Sequence, residues 1–195
     1  IPHRVPYLAA EPDRRARWAT RLQALAGLRV GIAWQGNPQV ERLIWARGRS
    51  VPLAALAPIA DVPGISLVAL QKGAGSEQLA AVPFRERILD LAAELDSGPD
   101  AFIDTAAIMS ELDLVISSDT SIVHLAGALA RPVWTLLSAA ADWRWLLERD
   151  DSPWYPSMRL FRQSRGGGWE EVAAVVAAAL RTFAADRARQ LTSRA

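Results

Sequence analysis

The chain has 195 residues, of which 51% are hydrophobic and 22% charged, and this composition excludes long disorder, collagen and a disulfide scaffold. A net charge of +1, from 22 basic and 21 acidic residues, provides no basic excess for general nucleic-acid binding. The absence of cysteine excludes thiolate catalysis and zinc ribbons and favours a reducing compartment, so we expect a cytoplasmic protein.

Two further absences narrow the class of protein. The only histidines are His3 and His124, which argues against a histidine-based metal site. No apolar run reaches about 18 residues, so no membrane span is expected. The chain begins at Ile1 without a signal-peptide pattern, and we expect it to be a piece of a longer protein.

Helical and strand patterns alternate along the chain. Apolar spacing predicts a first helix over 11–26, closed by Gly27, and a polar, arginine-rich loop is expected between the first strand and Pro52. Short apolar runs predict strands at 28–34, 66–71, 88–91, 114–117, 133–137 and 158–161. Further helices are predicted at 53–60, 77–82, 102–112, 122–130 and 169–187, and the tail 188–195 is expected to fray.

This alternation with short connections predicts an α/β fold, a Rossmann-like doubly wound parallel sheet with helices on both faces. No internal linker or repeat divides the chain, so we expect one domain. In such sheets ligands bind at the carboxyl ends of the strands, where the strand order reverses. Three loops that follow strands carry chemically capable residues: 35–37, 72–73 and 118–121.

The loop 118–121 has the strongest pattern. It leads directly into a helix, whose free N–H groups and dipole would favour an anion such as a phosphate. Thr120 and Ser121 add hydroxyl donors, and His124 lies one turn further along the same face. The alternative is that Asp119 or Thr120 merely caps the helix and His124 is a buried, hydrogen-bonded side chain. The segment alone leaves both interpretations open.

The other two loops are less specific. Lys72, the only lysine, is a compact charge suited to a phosphate oxygen, although it could be a solvated loop side chain. Gly36 and Asn37 could form a simple turn, or the glycine could allow a ligand to approach the backbone closely. No GxGxxG or GxxxxGK[ST] motif is present, so a nucleotide-binding oxidoreductase lacks its fingerprint.

Aromatic and basic side chains supply weaker candidates. Trp34 and Trp134 lie on predicted strands and are expected in the core. Three clustered tryptophans could stack a base or sugar, but we favour the packing of a long loop: Trp143, Trp145 and Trp154. Three arginines could partner an anion, although surface positions are more common for this residue: Arg49, Arg144 and Arg162.

The run SSDTSIVHLAGALARPVW at 117–134 resembles the D-T-x-x-x-H-L-A-x-A-L-x-x-P signature of the heptosyltransferase-type glycosyltransferases of family 9. Other segments are similar to the catalytic region appended to bacterial tetratricopeptide-repeat proteins, and together the similarity covers most of 28–182. These segments are VGIAWQGNP at 30–38, RSVPL at 49–53, LQKG at 70–73, DWRWLL at 142–147 and DSPWYP at 151–156.

The resemblance implies the C-terminal half of a GT-B fold, in which two Rossmann-like domains face each other. It assigns 28–187 to the domain that binds the nucleotide-sugar donor. It makes 1–27 an interdomain connection, or a helix that packs on the other half. Four residues would lie by the diphosphate and sugar of the donor: Asp119, Thr120, Ser121 and His124. Lys72 would neutralise phosphate, and Gly36 with Asn37 would line the opposite side of the cleft.

The resemblance also implies what else takes part. Such enzymes need no metal or other cofactor, because helix N-termini and basic side chains stabilise the leaving diphosphate. The acceptor contacts and the general base would come from an N-terminal half, so we expect this domain to be inactive alone. Its partners would be that half and tetratricopeptide repeats of the same protein. The family often has glycine where this chain has Ser121.

One alternative function stays open. The same fold could serve as a degenerate, non-catalytic interaction module beside tetratricopeptide repeats. That function predicts no affinity for nucleotides and an exposed apolar patch, built from the tryptophans of 142–156.

Overall fold

A computed structural model describes residues 4–43 and 48–192, so His3, positions 44–47 of the predicted arginine-rich loop and the end of the predicted tail lie outside the described residues. Six parallel strands form one sheet in the order β3-β2-β1-β4-β5-β6, which confirms the predicted Rossmann-like α/β fold. The strands are β1 Leu28–Ala33, β2 Ile65–Ala69, β3 Ile88–Asp90, β4 Leu114–Ser118, β5 Val133–Leu137 and β6 Met158–Arg162.

Helices cover both faces of the sheet. They are α1 Pro12–Leu22, α2 Pro38–Glu41, α3 Ala57–Ala60, α4 Ile103–Ser110, α5 Ser121–Ala128 and α6 Trp169–Thr192. Side chains of β4 alternate between two cores: Leu114 and Ile116 pack in the layer of α3 and α6, and Val115 packs in the layer of α1, α4 and α5. No helix within the described ranges is both long and apolar enough to cross a membrane.

The helices differ from the sequence prediction at several places. The first helix, predicted over 11–26, is α1 Pro12–Leu22, and the predicted loop after β1 contains the short helix α2. The predicted helix 53–60 begins as a 3₁₀ turn and is α-helical only from Ala57, because Pro58 has no N–H to donate to an earlier carbonyl. The predicted helix 77–82 is a 3₁₀ helix at Ser76–Ala81. The predicted end of the last helix near 187 is wrong: no glycine or proline interrupts 169–192, and α6 continues to Thr192.

Glycine is required where β1 passes through the centre of the sheet. A Cβ at Gly31 would lie 2.5 Å from a methyl carbon of Leu112 and 2.7 Å from one of Leu70, closer than van der Waals contact allows. The missing side chain therefore lets these two leucines close over β1. This close packing covers β1 just before its carboxyl end, where the loop 35–37 follows.

The N-terminal helix packs on the domain itself. Trp18 and Leu22 of α1 are fully buried, and the indole Nε1 of Trp18 donates a hydrogen bond of 2.9 Å to Asp104 Oδ1 on α4. Arg14 and Arg17 reach the same oxygen at 3.2 Å each. The apolar face of α1 is thus buried inside this domain, and its role as an interdomain connection stays a prediction.

We predict that Asp104→Asn lowers the free energy of unfolding by about 1–3 kcal/mol, because charge-assisted hydrogen bonds are lost at a buried site. Burial raises the pKa of Asp104, but hydrogen bonds from Trp18 and Arg14 and the nearby arginine charges outweigh it and hold the pKa below its ordinary value. The stabilisation is therefore present above the unfolded-state pKa and is lost as the pH falls through the folded-state pKa.

Urea unfolding at neutral and acidic pH measures this effect. The variant should be less stable near pH 7 and should lose less stability than the parent on acidification. Asp100→Asn, on the exposed loop before α4, is the matched control. Equal acid sensitivity of Asp104→Asn and the parent would contradict the assignment.

Candidate functional site

A cleft of about 920 Å³ lies at the carboxyl ends of the strands, at the point between β1 and β4 where the strand order reverses. That volume is in the range of small-molecule sites, ~300–1,000 Å³. Seven residues that the resemblance assigned to the donor site line this cleft: Gly36, Asn37, Lys72, Asp119, Thr120, Ser121 and His124. Loops that follow three different strands therefore meet at one site.

A buried amide ties the first two of these loops together. Gln71 Oε1 accepts hydrogen bonds of 3.0 Å from the backbone N–H groups of Trp34 and Gln35. Its Nε2 donates to the carbonyl oxygens of Gln35 at 3.0 Å and Ala74 at 2.8 Å. The side chain uses its full bonding capacity on the backbone. Sequence reasoning treated Gln71 only as the end of a strand, and its one signal was a polar residue after an apolar run.

Gly36 and Asn37 connect β1 to a short helix rather than forming a simple turn. The Asn37 side chain caps α2 by accepting from the N–H of Gln39 at 2.9 Å. The N–H of Gly36 donates to Ser50 Oγ at 3.1 Å. A Cβ at Gly36 would lie 3.5 Å from Thr120 Cγ2, an ordinary contact. The protein's own packing therefore does not require glycine here, and its absent side chain leaves space in the cleft.

The Lys72 side chain is exposed to solvent, and its ammonium group also contacts a neighbouring loop. Its Nζ donates to the backbone carbonyls of Leu95 and Asp96, in the loop that joins β3 to α4. The Asp96 carboxylate in turn caps α4 by accepting from the N–H groups of Asp104 at 2.7 Å and Thr105 at 3.2 Å. Carbonyl dipoles rather than a carboxylate hold the ammonium group, so its positive charge is not neutralised.

Arg49, which the sequence offered only as a possible anion partner, lines the cleft. It lies beside Gly36, and its Nε is buried without a hydrogen-bond partner among the described residues. Arg144 also lines the cleft but pairs with Asp142 at 2.6 Å. No signal in the sequence distinguishes Arg49 from the other two arginines. In the structure it precedes Val51, whose N–H donates to the Trp34 carbonyl next to the end of β1.

Arg162, the third arginine, is occupied elsewhere. Its guanidinium donates to the backbone carbonyls of Trp145 and Leu146, at 3.3 and 2.8 Å. It is not among the residues that line the cleft. The side chain therefore fastens the tryptophan segment to β6, and the expectation that it is not a ligand residue agrees with its position.

Thr120 is the N-cap of α5, as one of the two alternatives anticipated. It has extended backbone angles, and its Oγ1 accepts from the N–H of Ile122 at 3.3 Å. The cap uses one of the free N–H groups of the first turn, and the positive end of the helix dipole still faces the cleft. Asp119 is buried beside it, and Ser121 is exposed at the first helical position.

His124 is a half-buried side chain on the wall of the cleft. Its ring stacks on Trp145, with 5.3 Å between centroids and 21° between planes. Its Nδ1 lies 3.2 Å from the hydroxyl oxygen of Tyr155. Burial lowers the pKa of His124 below its ordinary value; Asp119 opposes this shift and Arg144 adds to it. The lowered pKa favours the neutral form of the ring at pH 7. Both alternatives hold in part, because the side chain is hydrogen-bonded and also borders the cleft.

The tryptophans follow the packing prediction with one exception. Trp34 and Trp134 are buried in the core, and Trp145 is fully buried under α5. Trp154 is half-buried and donates its Nε1 hydrogen to the Arg144 carbonyl at 2.8 Å. Trp143 is 69% exposed. It meets Trp154 edge-on at a centroid distance of 6.3 Å.

The donor set of the cleft suits an anion. Arg49 and Lys72, which form no ion pair with a carboxylate among the described residues, line the same cleft as the N-terminal residues of α5. Asp119 is the opposing charge, and Asp96 is used on α4. Within the described parts of the chain, no three histidine, aspartate or glutamate side chains group as a metal site.

Comparisons with known proteins show what part of this chain is similar to. The family model "Glycosyltransferase family 9 (heptosyltransferase)" matches residues 77–166, which include β4, α5 and the loop between them. Protein FlbA of Caulobacter vibrioides is 34% identical over 194 residues, an alignment that covers 95% of this chain and 30% of FlbA. This chain thus spans less than a third of that curated relative.

Solved structures share the fold. E. coli ADP-heptose lps heptosyltransferase II superposes with a TM-score of 0.58 and 18% identity, over all of this chain and 57% of that one. A family 9 glycosyl transferase from Veillonella parvula has a TM-score of 0.60 and 15% identity, over 92% of this chain and 53% of its own. E. coli heptosyltransferase WaaC with ADP has a TM-score of 0.53 and 16% identity, over 93% of this chain and 51% of its own.

The solved structures are about twice as long as the part that this chain matches. Their low sequence identity makes the likeness one of fold. The family model therefore indicates a similarity to glycosyltransferase family 9 over residues 77–166, and the solved structures add a shared fold.

We predict that Gln71→Leu lowers the free energy of unfolding by about 1–3 kcal/mol, because it leaves buried backbone groups without partners. Gln163→Leu is the matched control, since Gln163 also follows a strand but its side chain makes none of the backbone bonds of Gln71. The control should change stability by less than about 0.5 kcal/mol. Chemical denaturation measures both variants, and equal effects would refute the role of the Gln71 amide.

Proposed function

We propose that this domain binds the diphosphate of a nucleoside diphosphate sugar, as the donor half of a glycosyltransferase that moves the sugar to a protein or glycan acceptor. The observation that carries the proposal is the convergence of Arg49, Lys72 and the N-terminus of α5 on one cleft at the switch point of the sheet. The family match and the solved E. coli heptosyltransferase with ADP support the same ligand class.

The chemistry of sugar transfer uses such a site at the leaving group. The bond between the anomeric carbon and a diphosphate oxygen breaks, and its electron pair stays on the diphosphate. An acceptor oxygen forms the new bond, and its proton passes to a base that we expect outside this domain. Fixed positive groups stabilise the negative charge that grows on the diphosphate. Arg49, Lys72 and the hydroxyl groups of Thr120 and Ser121 would supply that stabilisation without a metal.

The remainder of the protein belongs to the same proposal. An N-terminal half that faces the cleft would bring the acceptor and the base, and tetratricopeptide repeats would accompany it. The cysteine-free composition supports a cytoplasmic location. We expect the isolated domain to bind nucleotide without transferring sugar.

We predict that one of ADP, GDP and UDP binds this domain saturably, and that Arg49→Ala and Lys72→Ala each weaken binding about tenfold or more. Each variant removes a charge-assisted contact, which contributes about 1.5–3 kcal/mol. Isothermal titration calorimetry of the three diphosphates measures the effect. Arg181→Ala, an exposed cation on α6 beside a different groove, is the matched control and should bind as the parent does.

Thr120→Ala needs a separate control, because Thr120 also caps α5. Loss of a cap costs about 0.5–2 kcal/mol of stability, so thermal unfolding must show that the variant is folded at the titration temperature. Binding should then be weaker, with the saturable shift of the melting temperature reduced. Unchanged affinity in both Thr120→Ala and Lys72→Ala would overturn the site assignment.

A second candidate function is an interaction module without nucleotide affinity. The observation that favours it is an exposed apolar group at 143–147, where Trp143 is 69% and Leu147 77% exposed. Failure of all three diphosphates to bind, both to this domain and to the two-domain protein, would support this function over sugar transfer.

A further inference from the structure

His124 is held by two aromatic side chains from outside its own helix. Trp145 stacks on one face of the imidazole, and the hydroxyl oxygen of Tyr155 lies 3.2 Å from Nδ1. Tyr155 is 31 positions away in sequence, so only the fold brings the two together. The hydrogen bond occupies Nδ1 and leaves Nε2 as the ring nitrogen without a partner among the described residues.

The backbone of α5 is shaped to admit Tyr155. Gly127 lies three residues after His124, on the same side of the helix. A Cβ at Gly127 would lie 2.4 Å from Tyr155 Cγ and 2.5 Å from Cδ1, so no other residue fits beneath the ring as it lies. The ring therefore rests on the helix surface, and its hydroxyl reaches His124 one turn earlier.

A second tyrosine completes the arrangement. The backbone N–H groups of Tyr7 and Leu8 donate to the carbonyl of Ala128, at 3.0 and 3.3 Å, and so pin the N-terminal segment to the end of α5. This places the Tyr7 hydroxyl 3.4 Å from that of Tyr155, a long hydrogen bond. Tyr155 can accept from Tyr7 and donate to His124, because a phenol hydroxyl does both.

The protonation states of the two side chains are compatible with a hydrogen bond from the Tyr155 hydroxyl to His124 Nδ1. Burial, and then the contact with Tyr7, raise the pKa of Tyr155 well above its ordinary range, so the hydroxyl keeps its proton. Burial lowers the pKa of His124; Asp119 and Asp142 oppose that shift, and Arg144 adds to it. A neutral ring whose Nδ1 accepts a hydrogen bond carries its proton on Nε2.

We infer that Tyr155 is a positioning residue: it donates to His124 Nδ1 and thereby holds His124 as the Nε2–H tautomer, an uncharged hydrogen-bond donor for an anionic oxygen in the cleft. That the oxygen belongs to a diphosphate rests on the proposed function. The tautomer itself is a property of the unliganded protein. A neutral donor binds the diphosphate without offering it an acidic proton, so it contributes orientation while Arg49 and Lys72 contribute charge.

Nitrogen-15 NMR of the imidazole tests the tautomer without any ligand. His3→Gln leaves His124 as the only histidine, so the spectrum has one ring to assign. We expect the pattern of a neutral ring protonated on Nε2 at pH 7. Tyr155→Phe keeps the ring on Gly127 but removes the donor, and should shift the spectrum to an average of both tautomers. An Nδ1–H pattern in the parent, or an unchanged pattern in Tyr155→Phe, would overturn the inference.

A double-mutant cycle tests the consequence for binding. Tyr155→Phe should weaken the binding of the preferred diphosphate about three- to tenfold, the range for one neutral hydrogen bond. In a His124→Ala background the same change should have no further effect, because there is no ring to orient. Additive losses in the double variant would show that Tyr155 acts on binding by another route and would refute its positioning role.

The NMR experiment and the binding experiment together separate this inference from the proposed function. An Nε2–H spectrum that depends on Tyr155, with no diphosphate bound by the domain or by the two-domain protein, would contradict the proposed function and support the tautomer. Tyr7→Phe is the control within the network: it removes only the outer, longer bond and should change the spectrum less than Tyr155→Phe does. An equal or larger change would contradict the proposed series of hydrogen bonds from Tyr7 through Tyr155 to His124.

Discussion

The site depends on the central strand β1, which pairs with β2 on one side and with β4 on the other. β1 aligns Ile32 with Ala69 of β2 on one side and with Ile116 of β4 on the other. Because all three strands are parallel, their carboxyl ends finish at the same edge. The chain order reverses between β1 and β4, so their loops diverge and leave a crevice. Every residue proposed to bind the ligand stands on the rim of that crevice.

Hydrogen bonds to backbone groups hold the loops of the cleft and the Lys72 ammonium in place. The Gln71 amide joins the loops after β1 and β2, carbonyl oxygens hold the Lys72 ammonium, and the Asp96 carboxylate is used on the N-terminus of α4. The Tyr155 hydroxyl likewise contacts the ring of His124. The Lys72 ammonium is therefore held by carbonyl oxygens and is not neutralised by a carboxylate among the described residues. A site built in this way stabilises a developing negative charge with little reorganisation.

Much of the fold and the cleft could be predicted because those signals are local. Short continuous apolar runs indicate strands that are covered on both faces, and β5 appears at the predicted residues 133–137. Polar loops after such strands must meet at one edge of a parallel sheet. The rest required contacts between distant residues. Three arginines lie in similar sequence contexts, and only their neighbours in space distinguish their roles. Within the described part of the chain, Arg49 lines the cleft without a partner for its Nε, Arg144 pairs with Asp142, and Arg162 binds backbone carbonyls.

The sequence by itself determined the fold class, the order of the elements and the loops that form the cleft, because periodicity and turn residues act over a few positions. The tertiary structure alone decided what each polar side chain does. Lys72 is bound to carbonyls, Gln71 to backbone amides, and His124 to a tyrosine for which Gly127 makes room. Such roles depend on which groups are buried together, and burial is set by the packing of segments far apart in the chain.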